Sequence, residues 1–138
     1  MYQTNQLSLQ EALQMINGVY ETLEKDNLGA AVAIVDSHGE LIAFARTEGC
    51  PLPSINIAIH KAFTAAREGK ESGAIGQASR EKDFAITNFG DLRYTGWGGG
   101  IPLVYEGSVV GAIGISGLPE ADDVTLSRQA VDAWGRDG

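Results

Sequence analysis

The sequence predicts an α+β fold in which one central antiparallel sheet lies between helices, an α-β-α sandwich. Three observations predict it. Two segments read strand, short glycine turn, strand, and such hairpins build antiparallel sheets. Their strands are apolar at nearly every position, which calls for cover on both faces. Three further segments carry apolar stripes or start signals of helices and supply that cover. At 138 residues the chain has the length of one domain, spanning 1–138.

The first helix opens at Ser8, which with Glu11 forms an S-x-x-E capping box, and Leu7 stands in the staple position. Leu9, Leu13, Ile16, Tyr20 and Leu23 then follow steps of four and three, and Asn27 and Gly29 offer a stop. Ala30 to Asp36 and Leu41 to Arg46 are strands joined by Ser37-His38-Gly39. Cys50-Pro51-Leu52-Pro53 breaks the chain, and Ser54 is placed to cap a second helix. Its stripe is Ile55, Ala58, Ile59, Ala62, Phe63 and Ala66, with Gly69 as C-cap, and its alanines allow close packing. Residues 70 to 96 carry a weaker pattern, with Phe84 to Tyr94 reading as mostly loop. A short helix over Ser72 to Arg80 is weakened by Gly73 and Gly76. Ile101 to Tyr105 and Ser108 to Ser116 form the second hairpin about Glu106-Gly107. A last helix runs from about Pro119 to Trp134, with Pro119 at its first position.

Composition limits function. Eighteen acidic against ten basic residues give a formal net charge of −8. That balance argues against nucleic acid and against an anionic membrane as partners, since both are bound through clustered Lys and Arg. One cysteine excludes an internal disulfide framework and a Cys-rich zinc site, and two histidines leave little for a histidine-rich metal centre. Without a basic, apolar start or a long apolar run, the sequence reads as cytoplasmic. Half of its 18 glycines fall between Gly90 and Gly117. Gly107 serves a turn and Gly111, Gly114 and Gly117 punctuate one strand. Gly98, Gly99 and Gly100 have no purely local explanation.

Several of these segments together resemble the GlcG/HbpS family. Val32-Ala-Ile-Val-Asp36-Ser-His-Gly39 followed by Leu41 to Arg46 is similar to the family's opening hairpin. Ser54, Ala58 and Lys61-Ala62-x-Thr64-Ala65 resemble its helix. Gly98-Gly-Gly-Ile-Pro102-Leu and Val110 to Gly117 resemble its glycine-rich half, and Glu120 to Asp123 the acidic start of its last helix. The resemblance spans nearly the whole chain. It implies a profilin-like fold and homo-oligomers, from dimer to octamer. It also implies kinship with glycolate-operon proteins, haem-binding and haem-degrading sensors, and proteins encoded beside diol or glycerol dehydratases. Fold follows from such kinship more firmly than a reaction does.

The candidate residues each admit two readings. His38 is an exposed turn residue or a haem or surface metal ligand. His60, at one flank of the second helix's stripe, is a half-buried helix residue, a haem ligand or a proton-transfer group. Lys61 is a snorkelling lysine, a cation holding a carboxylate or haem propionate, or a base of lowered pKa. Arg46 grips a carboxylate, or pairs with Asp36, Glu48 or a neighbouring subunit. Trp97 with Gly98, Gly99 and Gly100 is a β-bulge, an anion-binding nest, or a surface that a ligand or second chain approaches closely. Carboxylate pairs such as Asp122-Asp123 stabilise a helix start. No serine-nucleophile motif, H-E-x-x-H or phosphate loop is present. The leading expectation is a homo-oligomeric protein binding haem or another small molecule near Arg46, His60, Lys61 and Gly98 to Gly100. The alternatives are a small enzyme moving a proton through Lys61 or His60 on a hydroxy acid or carbonyl compound, and a non-catalytic accessory subunit.

Overall fold

The computed structural model describes residues 1–135. The last three positions of the expected 1–138 domain lie outside the described residues. The elements run α1 (Leu9–Lys25), β1 (Ala31–Asp36), β2 (Leu41–Arg46), α2 (Ser54–Glu68), α3 (Ser72–Lys82), a 3-10 turn (Ile86–Phe89), β3 (Gly100–Tyr105), β4 (Ser108–Ser116) and α4 (Glu120–Trp134). The strands form one antiparallel sheet in the order β2-β1-β4-β3. Helices α1 and α4 pack on one face of this sheet and α2 on the other, with α3 against α2 and β3. The sandwich predicted by the two hairpins is therefore present.

Strand alternation divides the core. Val32, Ile34, Ile101, Leu103, Ile113 and Ile115 face α1 and α4 and join Met15, Val19 and Leu23 in a branched-aliphatic core. On the other face stand Ala31, Ala33, Val35 and Ala112, against Ala58, Ala62, Ala65 and Ala66 of α2. Gly114 and Gly100 continue that face. A Cβ on Gly114 would overlap the Ala58 carbonyl, and one on Gly100 the Lys61 carbonyl. Small residues on both sides thus bring the α2 backbone down onto the sheet, because nothing larger fits between them.

The structure revises several local expectations. The Ser8 cap is made, its hydroxyl accepting the Glu11 N–H at 3.1 Å, and Leu7 is buried as a staple. The buried face of α1 is however Ala12, Met15, Ile16, Val19 and Leu23. Leu9, Leu13 and Tyr20, read as core, are exposed. Both stripes have helical spacing, and tertiary packing selects between them. Ser54 is the first residue of α2 and caps nothing, Pro53 holding the cap position. Pro119 likewise precedes α4 as its N-cap. The glycines that weakened the reading of α3 are packing contacts. A side chain at Gly76 would collide with the Gly96 carbonyl, and one at Gly73 would come 3.2 Å from Gly98 Cα. Finally, β2 is an edge strand, and Ile42, Ala43, Phe44 and Ala45 are only partly buried, so its cover is incomplete.

Candidate functional site

The close α2–sheet contact places a lysine where lysines are rarely found. Ser54, Ala58, Lys61, Ala62 and Ala65 share one helical face, and that face meets the sheet. Lys61 is 2 % exposed. Its Nζ donates to the Ile115 carbonyl at 2.8 Å and to Asp123 Oδ2 at 3.1 Å. Asp123, in the first turn of α4, is equally buried and accepts the Leu118 N–H on Oδ1 at 3.1 Å. It therefore stabilises a helix start, as expected, and also neutralises a lysine 62 residues away in sequence. Burial lowers the Lys61 pKa from its ordinary value, opposed by the Asp123 charge. Burial likewise raises that of Asp123, opposed by Lys61. Removing two ions from water costs several kcal/mol each, and the pair repays that only through tight geometry.

The glycine segment wraps this pair. At Gly99, φ is +127°, and a Cβ there would lie 2.6 Å from the Ile115 carbonyl and 2.9 Å from Lys61 Nζ. Only glycine combines that backbone with that proximity. Side chains then pin the segment. Ser72 Oγ donates to the Trp97 carbonyl at 2.6 Å and accepts from the Gly100 N–H at 2.9 Å. Ser127 Oγ donates to the Gly99 carbonyl at 2.7 Å, and Glu120 Oε2 accepts the Gly98 N–H at 2.6 Å. The three glycines are a close-approach surface for α2 and α4 of the same chain. The Gly98 and Gly100 amides are taken by these side chains.

Beside the pair opens a cleft of about 260 Å³ lined by Ser54, Lys61, Trp97, Ser116, Glu120 and Asp123 among others. Trp97 is 59 % exposed over it. Among the described residues, the buried hydroxyls of Thr64, Ser72 and Ser127 each make hydrogen bonds within the protein. Those of Ser54 and Ser116, 6 % and 5 % exposed, make none, although no fully enclosed side-chain nitrogen or oxygen lacks a partner. Both residues line the cleft, and neither hydroxyl is fully enclosed. One cation faces two carboxylates there, so the cleft carries no excess positive charge. In the sequence Ser54 reads as a helix cap, Asp123 as a helix-start carboxylate and Ser116 as the end of a strand, none of them as part of a binding site. Ser54 lies seven residues before Lys61 on one helix face, and Ser116 shares the sheet face of Ala112 and Gly114. Both signals are periodicities. The Asp123 contact is a long-range one with no local mark.

The other predicted residues lie elsewhere. His60 is half-buried, and burial first, then the nearby Arg93 charge, lowers its pKa below 6.5. It is not among the residues lining the cleft. Arg93 instead bridges Asp91 and Glu40 and lies 3.9 Å over the Phe63 ring. His38 is exposed in the β1–β2 turn, its carbonyl accepting from Arg67 Nε. Arg46 ends the edge strand in the open, and its charge opposes the burial that raises the Cys50 thiol pKa. A larger groove, about 500 Å³, runs between α1 and α4 over Met15, Val19 and Leu126. None of the candidate binding residues read from the sequence lines it.

Haem requires an axial donor and room for a tetrapyrrole. No imidazole lines the Lys61 cleft, and its volume falls below the range of about 300–1,000 Å³ typical of pockets for drug-sized ligands. The residues of this cleft do not fit haem. Among the described residues no three His, Cys, Asp or Glu side chains are grouped to hold a metal ion, and no helix is long and apolar enough to cross a membrane.

Comparison with known proteins places the chain. The family described as haem degrading protein HbpS-like matches residues 7–132. Protein GlcG of Escherichia coli K12 is 32 % identical over 110 residues, covering 80 % of this chain and 81 % of GlcG. A crystal structure of a Streptomyces reticuli HbpS double mutant superposes with a TM-score of 0.87 at 26 % identity, over 98 % of this chain and 91 % of that one. A crystal structure of a PduOC–haem complex superposes with a TM-score of 0.86 at 23 % identity, over 96 % of this chain and 99 % of the other.

Proposed function

The chain belongs to the HbpS-like family, and from that premise we propose that it is a small-molecule-binding protein whose ligand sits in the Lys61–Asp123 cleft. The ligand is a compact compound bearing hydroxyl or carbonyl oxygens and no negative charge. One observation carries this reading: Ser54 and Ser116 are buried residues that line the cleft beside the ion pair, and their hydroxyls, not fully enclosed, have no hydrogen-bond partner among the described residues. These hydroxyls are not fully enclosed, so water in the cleft solvates them, and a ligand that bonds to both replaces that water with hydrogen bonds worth about 0.5–1.5 kcal/mol each. The charge balance supports a neutral ligand, because Asp123 already occupies Lys61 and Glu120 would repel a carboxylate. Trp97 offers an indole wall at the mouth.

A thermal-shift panel tests the reading. Small aldehydes, hydroxyketones and diols should raise the melting temperature more than the corresponding hydroxy acids. A panel in which only the acids stabilise the protein overturns it.

A second reading, haem, is supported by the family description and by the haem complex of PduOC. Its site would lie outside the cleft, at His60, whose imidazole is held toward the neutral, ligating form. Haemin titration should then give a Soret shift that His60→Ala removes, and no shift ends this reading. Self-association is part of the proposal. The exposed Leu13 and Tyr20 of α1 line a groove with Ala45 and Arg46 of the edge strand β2. Pro102 interrupts the other edge, whereas β2 carries neither proline nor lysine to block pairing with a second copy.

A further inference from the structure

Resting on the reading of the Lys61 cleft given above, we propose that Lys61 is a covalent site, its Nζ condensing with the carbonyl carbon of a small aldehyde or ketone to form an iminium. An ammonium has three N–H donors. Two are directed at the Ile115 carbonyl and Asp123 Oδ2, and the third has no partner among the described residues. Gly99 and the Ile115 carbonyl crowd the nitrogen from one side, and Lys61 lines the cleft on another. A nucleophile, a proton acceptor at 3.1 Å and two unpartnered hydroxyls therefore surround one space of aldehyde size. These are the groups that amine addition to a carbonyl needs. Burial, which lowers the amine pKa, favours the free base that attacks. Each unit of such lowering raises its fraction about tenfold.

The step balances. Lys61 gives one proton to Asp123 and turns its lone pair to the cleft. Nζ attacks the carbonyl carbon, forming the C–N bond, while the carbonyl π pair moves to oxygen, held by the Ser54 and Ser116 hydroxyls. A second proton passes from nitrogen to that oxygen, giving a neutral carbinolamine. Asp123 returns its proton to the hydroxyl, which leaves as water as the nitrogen lone pair forms the C=N bond. Ammonium plus carbonyl has become iminium plus water. The positive charge stays on nitrogen, opposite the Asp123 carboxylate, so the buried pair survives the reaction. An apolar pair of similar size would hold α2 to α4 without the desolvation cost of these ions, which suits a role for the amine beyond packing.

The test is reductive trapping. The full chain is incubated with glycolaldehyde, treated with cyanoborohydride, digested and mapped by mass spectrometry. Lys25, Lys70 and Lys82 are exposed, so accessibility alone would label them first and Lys61 last. The proposal expects Lys61 to be labelled several-fold faster than any of them, the reverse of the order that accessibility dictates. The Ser54→Ala/Ser116→Ala double variant should lower labelling at Lys61 alone, and Lys61→Arg should leave only the surface background. If the double variant does not fold, by circular dichroism, 1,2-propanediol competing against wild-type labelling takes its place, and it should protect Lys61 only. Labelling confined to the exposed lysines overturns the proposal. If calorimetry still detects glycolaldehyde binding, only the covalent step is lost. If it detects none, the reading of the cleft falls as well.

Discussion

Gly18 and Gly100 are both glycines inside regular elements, and opposite physics governs them. A Cβ on Gly18 meets nothing within 4 Å, and its backbone is helical. Gly18→Ala should therefore stabilise the fold by about 0.5–1 kcal/mol through helix propensity alone. At Gly100 the same atom would land on the Lys61 carbonyl. Gly100→Ala should cost about 1–3 kcal/mol or more by overpacking, and denaturant unfolding measures both. Neither sign is legible in the sequence, because glycine content does not reveal what stands opposite. His60 makes a third case. Its folded pKa lies below the ordinary 6.5, so between those values the unfolded chain binds more protons. Stability should fall as pH drops through and below 6.5, and His60→Gln should flatten that fall. A slope unchanged by the substitution would contradict the burial ascribed to this imidazole.

At the scale of elements, local chemistry was readable where it was self-sufficient. The Ser8 box, the Gly69 cap and both hairpins follow from adjacent residues, and Ser8→Ala should cost about 1 kcal/mol. The turn Glu106-Gly107 has φ of 49° and 78°. This two-residue hairpin loop, with both φ positive, fits a type I′ turn, in which Asn is favoured first. Glu106→Asn should recover part of the roughly 1–2 kcal/mol that a left-handed non-glycine residue costs, seen as a higher denaturation midpoint. What needed a partner element was read less well. Of the α1 stripe read from periodicity, Ile16 and Leu23 are core but Leu9, Leu13 and Tyr20 are exposed, since Ala12, Met15 and Val19 have the same helical spacing and only packing decides which flank is buried. Helix α3 was doubted for the glycines that let it dock on Gly96 and Gly98.

For the whole molecule, the alanine and glycine face of the sheet is the organising feature. It lowers α2 far enough for Lys61 to reach Ile115 and Asp123, and it leaves the Ser54 and Ser116 hydroxyls beside them. The fold was legible because two hairpins and helical stripes are repeated, redundant signals. The site was legible only in part. Lys61, Trp97 and Gly98 to Gly100 meet in space, whereas Asp123 joins them through a contact no local pattern announces. The exposed α1 stripe gives a further prediction at this scale. If the chain self-associates as proposed, Leu13→Glu should shift it toward monomer in sedimentation without lowering monomer stability, since Leu13 is 52 % exposed.

The central claim is that the cleft beside Lys61 and Asp123 selects a neutral oxygen-bearing molecule through Ser54 and Ser116. Calorimetric titration of wild type and the Ser54→Ala/Ser116→Ala variant, each with glycolaldehyde and with glycolate, tests it most directly. Wild type should bind the aldehyde more tightly than the acid, and the variant should lose at least about fivefold in affinity, as two hydrogen bonds of about 0.5–1.5 kcal/mol each predict. Equal affinity in wild type and variant, or tighter binding of glycolate, would contradict it.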